Sequence, residues 1–141
     1  RRLHRGEIPP SLSAVLGSDS TVVVIGSRVG NDVAAALRDL AADWARNHNQ
    51  VVVDEADFAG PGGRAVWLFG DGVIADSIFA NTRSFDAAPQ RLRADAAGAG
   101  HSLVACFRAG GVDGTAWAVV VPANANVVPA LGLGLPTFCT A

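Results

Sequence analysis

The sequence has no lysine, no methionine and no tyrosine, and its eleven basic residues are all arginine. The missing lysine has chemical force: a Schiff-base lysine, a phosphate-gripping lysine and a lysine general base are excluded from these residues. Cysteine is scarce too. Cys106 and Cys139 stand far apart, in neither a CxxC nor another metal-ligand spacing, which argues against a zinc site. They can close at most one disulfide and fix no compartment. Inside an apolar strand pattern, Cys106 reads as a small buried hydrophobe. Charged residues make up 17% of the chain and the net charge is −2, so no long-range attraction to nucleic acid or to an anionic membrane is expected. No apolar run approaches the roughly 20 residues that span a bilayer. The longest, Ala116 to Val121, is strand-sized, and membrane insertion is not expected either. Arg1 and Arg2 are not followed by the apolar stretch of a signal peptide. The absent initiator methionine points to a fragment or an excised domain.

What is present is apolar. With 141 residues, half of them hydrophobic, the chain can build one ordinary core. Residues 1–19 read as a linker or lead-in. Ile8-Pro9-Pro10 is extended, because neither proline has an N–H to give a helix, and Ser11 can cap a short turn to Leu16. Arg1, Arg2, His4 and Arg5 read as a solvated face and not as a nucleic-acid arm, which needs more charges. Residues 20–141 read as a single domain. Val22 to Ile25 is a continuous β-branched run, the pattern of a strand buried on both faces. Gly26-Ser-Arg-Val-Gly-Asn31 turns the chain, with Asn31 as a helix cap. Val33, Leu37, Leu40 and Trp44 then share one helical face, and His48 is placed to complement the end of the helix dipole. Val51 to Val53 reads as a second buried strand. The unit is βαβ, and so parallel with a right-handed crossover.

A third strand is expected from Arg64 to Phe69, after Gly60-Pro61-Gly62-Gly63, and a short helix from Val73 to Ala80 with Ile74, Ile78 and Phe79 inward. Leu92-Arg93-Ala94 reads as a short strand and Gly98-Ala99-Gly100 as a turn. His101 to Arg108 reads as a strand with Leu103, Ala105 and Phe107 on one face. Gly110 to Gly114 is a strong turn signal, so Ala116 to Val121 should pair antiparallel with that strand. Val127 to Leu133 is expected to form a last helix. Trp44, Trp67 and Trp117 fall at core positions. The fold class implied is α/β: a parallel βαβ core of Rossmann/flavodoxin-like, three-layer type, extended by an antiparallel hairpin.

Three motifs invite chemistry. Asp54-Glu55-Ala56-Asp57 after a valine strand has the form of a Walker B element. That element needs a phosphate loop ending in Lys-Ser/Thr, and the first βα turn here has no lysine. Gly26 and Gly30, with Asp54 or Glu55 on the second strand, outline a dinucleotide site. Arg28, however, stands where the middle glycine of GxGxxG must let a pyrophosphate approach the backbone. Gly70-Asp71-Gly72-Val-Ile-Ala-Asp76 is like the last acidic motif of haloacid-dehalogenase phosphatases, yet Val22-Val-Val-Ile25 lacks their Asp-x-Asp nucleophile. If the second and third strands are neighbours, Asp54 and Asp71 converge at the carboxyl end of the sheet. The ligand-binding set this suggests is Gly26, Ser27, Gly30, Asn31, Asp54 and Asp71. No catalytic set, metal set or cofactor is expected: His4, His48 and His101 are scattered, and nothing places a serine beside a base.

Arg64-Ala-Val-Trp-Leu-Phe-Gly70, His101-Ser-Leu-Val-Ala-Cys-Phe-Arg108, Ala116-Trp-Ala-Val-Val-Val121, Val128-Pro-Ala-Leu131 and Leu135-Pro136 form an ordered series. It resembles an accessory α/β domain of large bacterial zinc aminopeptidases of the M1-like (gluzincin) type, over about residues 64–136. The ending Phe138-Cys-Thr-Ala141 departs from that pattern. The resemblance implies a non-catalytic domain whose partners are neighbouring domains of the same parent chain, with peptide hydrolysis carried out elsewhere in the parent. The alternative is a small-ligand or nucleotide-binding Rossmann-like module.

Overall fold

A computed structural model describes residues 14–15, 18, 20–47, 50–81, 89–109 and 115–137, without the side chains of 46, 47, 81, 89, 109 and 133–137. The elements follow in the order β1 (Thr21–Ile25), α1 (Asn31–Asn47), β2 (Gln50–Asp54), a 3-10 turn (Glu55–Asp57), β3 (Ala65–Phe69), α2 (Val73–Asn81), α3 (Pro89–Gly98), β4 (Leu103–Ala109), β5 (Thr115–Val121), a second 3-10 turn (Ala125–Val127) and α4 (Val128–Thr137). The strands form one sheet in the order β2-β1-β3-β5-β4. All are parallel except β4, which runs antiparallel to β5 with Leu103 opposite Val121 and Ala109 opposite Thr115. The expected α/β architecture is thus the one observed.

Period-two alternation in the central strands builds a core on each face of the sheet. Val23, Ile25, Trp67, Phe69, Ala118 and Val120 face α1 and α4, where they meet Leu37, Leu40, Ala41 and Val128. Trp44 stands edge-on to Trp67 and Phe69, at centroid distances of 5.0 and 5.5 Å. Val22, Val24, Val66, Leu68, Trp117 and Val119 face the other way, against Ala75 and Phe79 of α2. The inward stripe Ile74, Ile78 and Phe79 is borne out, and so is the shared face of Leu103, Ala105 and Phe107. Cys106 is half-buried and packs on the α1 side. Fully burying one side chain such as Leu68 stabilises by roughly 1.5–3 kcal/mol.

Four expectations need correction. Val51 to Val53 is not a strand buried on both faces: β2 is the sheet edge, and Val51 is 45% exposed. Nor are β2 and β3 neighbours, because β1 lies between them and Ile25 pairs with both Asp54 and Phe69. Asn31 does not cap α1; the Gly30 carbonyl accepts the first helical bond, from Ala34 N at 2.8 Å, so Gly30 holds the cap position. Leu92-Arg93-Ala94 is helical, within α3. Proline suits the first position of a helix, Arg91 and Asp95 pair at i, i+4, and Leu92 is half exposed. The turn expected at Gly98 to Gly100 is the end of this helix. Gly100 takes φ +66°, His101 N donates to Ala96 O, and Gly100 N donates to Ala97 O. This is a left-handed cap that a side chain would strain.

The helical turn expected before β1 is present at Ala14 and Val15, with Val15 fully buried. Residues 1–13, 16–17 and 19 of the lead-in, with the Ser11 cap and His4, lie outside the described residues, as do His48, the turn at 110–114, Cys139 and the ending at 138–141.

Candidate functional site

In an open α/β sheet the place for a ligand is the crevice at the carboxyl ends of the strands, where the connections on either side diverge. Here that point lies between β1 and β3: β1 leads through α1 to β2 on one side, and β3 leads on to α2. The two loops concerned are Gly26–Gly30 and Gly70–Gly72. Backbone hydrogen bonds lace them together, Gly26 N to Phe69 O at 2.8 Å and Arg28 N to Asp71 O at 3.0 Å. Gly26 is needed for this closeness, since a Cβ there would run into the backbone carbonyl of Asp71.

Glu55 reaches into the same place from β2. Its carboxylate accepts Ser27 N at 2.8 Å and Ile74 N at 2.6 Å, and so ties the β1 loop to the start of α2. The first amides of a helix have no partner within the helix, and they favour an anion. Burial pushes the Glu55 carboxyl up. The Ser27 side chain and the amides of Ile74, Ser27 and Val73 outweigh it and hold the group below the usual carboxylate range. The carboxylate thus sits at the amino end of α2, a kind of position that favours anionic groups.

Around this clasp lies an ion network. Asp76 accepts from Arg28 at 2.6 Å and from Arg93 at 2.8 Å. Asp71 pairs with Arg93, takes Gly72 N at 2.8 Å, and lies 3.5 Å from Arg28. Arg28 also donates to Gly72 O at 3.0 Å. The hydrogen bond from Arg28, followed by that from Arg93, holds the Asp76 carboxyl below its ordinary range, and Asp76 in turn raises Arg28. Arg93 is mostly buried, with its guanidinium 5.0 Å from the centroid of the Phe79 ring, so it fastens α3 to α2.

The residues named from the sequence are therefore partly assembled. Gly26, Ser27 and Asp71 meet at the crevice. Gly30 and Asn31 lie exposed at the start of α1. Asp54 is on the far side of β1, paired with Arg38 where both side chains are about half exposed, at 49%, so Asp54 and Asp71 do not form one site. Arg28, Asp76 and Arg93 complete the arrangement without having been in that set. Asp76 and Arg93 are 17 residues apart, and no local pattern links them. Among the described residues no three His, Cys, Asp or Glu side chains gather as a metal-holding group, and no helix is long and apolar enough to cross a membrane. Comparison with protein-family models, with curated proteins and with solved structures finds no match to this chain.

Proposed function

We propose that the chain is a non-catalytic accessory domain of a larger protein, namely a bacterial zinc metallopeptidase that hydrolyses peptides with another part of its chain. One observation carries the non-catalytic part: the Glu55 carboxylate takes up Ser27 N and Ile74 N, the donors a bound anion would use. The remaining acids of the crevice, Asp71 and Asp76, answer Arg28 and Arg93. The Glu55 and Asp76 carboxyls, held below their usual range by their hydrogen bonds, are weak general bases near neutral pH. The parent enzyme is inferred from the ordered strand series between residues 64 and 136, which is similar to the accessory domain of gluzincin aminopeptidases. Its partners are then neighbouring domains of the parent chain.

A second reading, a small-ligand or nucleotide-binding module, draws support from the position of Ser27 and the start of α2 at the strand-order switch. Titrating the isolated chain with nucleotides and divalent cations, followed by tryptophan fluorescence and melting temperature, separates the two. The accessory reading expects no saturable change, and a saturable melting shift of several degrees would overturn it. In the parent chain, deleting this domain should leave zinc content intact. Loss of the metal on deletion contradicts a purely accessory role.

A further inference from the structure

Two buried oxygens at the amino end of the sheet, opposite the crevice, have no hydrogen-bond partner among the described residues. Thr21 opens β1 and is 4% exposed, and its Oγ1 bonds to nothing; Gln50 opens β2, and its buried Oε1 bonds to nothing. The parallel register sets Thr21 opposite Gln50 on one side and opposite Ala65 on the other. Alternation places Thr21 on the face of Val23 and Ile25, and Gln50 on the face of Val52, so both point to the α1 side.

Neighbouring strands stand roughly 4.8 Å apart, so the side chains of these register partners leave adjacent strands on one face, close enough in origin for one water to lie between them. A direct bond is not made. Buried polar groups in native proteins are otherwise almost always satisfied, by ordered water where the protein gives no partner. Gln50, Thr21 and Ala65 carry no charge along this row, which suits a neutral ligand and not a cation. Reversing the Gln50 amide would put a donor in place of the acceptor, and a water can serve either.

We infer that a structural water binds here, bridging the Thr21 hydroxyl and the Gln50 side-chain amide, and that it pins β2 in register. The edge strand needs such a pin. It is five residues long and, among the described residues, pairs only with β1, and a slip of one residue would exchange the faces of Val51 and Val52.

The test is Thr21→Val, which keeps the shape and removes the hydroxyl, alongside Thr21→Ser, Gln50→Leu and the double variant, all measured by urea unfolding. With the water present, Thr21→Val raises the unfolding equilibrium constant about fivefold. Thr21→Ser recovers part of the loss, and the double variant loses less than the two single variants together. A neutral or more stable Thr21→Val, as expected for removing a truly unsatisfied hydroxyl, overturns the inference, as does strict additivity. Should Thr21→Val fail to fold, the wild-type chain decides by NMR. A long-lived water signal at the Thr21 and Val22 amides supports the bridge, and its absence refutes it.

Discussion

At the carboxyl end of the sheet the Glu55 carboxylate receives the amides of Ser27 and Ile74, while at the amino end Thr21 Oγ1 and Gln50 Oε1 receive nothing from the described residues. Both ends border the same β1–β2 pair. The difference shows how a fold that usually offers its carboxyl end to ligands can use that end for itself. The donors that would hold a phosphate are consumed by an acid five residues along from the start of β2, and the cations that would attract one are neutralised by Asp71 and Asp76. At the opposite end, the unanswered side-chain oxygens of Thr21 and Gln50 are neutral.

Perturbing each end should break this contrast by a characteristic amount. Gly26→Ala forces a Cβ onto the Asp71 backbone and should lower unfolding stability by about 3 kcal/mol, the upper part of the overpacking range, read by urea denaturation. Glu55→Ala comes next. Charge-assisted hydrogen bonds contribute roughly 1.5–3 kcal/mol, and partial exposure of the carboxylate reduces this to about 1–2 kcal/mol. Hydrogen exchange at Ser27 and Ile74 should quicken in the same variant, while Thr21 and Gln50 stay unaffected.

Acid acts on the same clasp. The folded Glu55 carboxyl sits below its unfolded value, so in the window between the two the unfolded chain binds more protons. The stabilisation is therefore fully present above the ordinary value of roughly 4.3 and fades as pH falls through the folded value. Glu55→Gln should remove this part of the acid slope in a denaturation series. The smallest effect belongs to Asp54→Ala. Its pair with Arg38 is half exposed, so the loss should stay under about 0.5 kcal/mol and shrink further in salt. A larger loss would mean that Asp54 does more at the sheet edge than meet Arg38.

The frame was legible because its signals are local. Val22 to Ile25, Arg64 to Phe69 and the Val33-Leu37-Leu40-Trp44 stripe each announce an element through period and length, and the turn glycines mark where elements stop. The position of β2 in the sheet was not legible. Three valines read the same in a central strand as in an edge strand, and only the strand order separates Asp54 from Asp71. The helix at Pro89–Gly98 was hidden by Leu92, whose isolated apolar side chain suggested a strand although its neighbours are good helix formers. The crevice was half visible. The string Asp54-Glu55-Ala56-Asp57 attracted notice, yet the partners of Glu55 lie 28 and 19 residues away, and no spacing rule connects a strand-end acid to backbone amides so distant.

Occupation of the crevice by Glu55 can be followed through three signals in one acid titration: the Glu55 carboxyl carbon and the backbone amides of Ser27 and Ile74 in the isotope-labelled chain. If Glu55 occupies the crevice, all three move together, with one shared midpoint below the ordinary carboxylate value. A Glu55 midpoint at or above that value, or amides that ignore its titration, would contradict it.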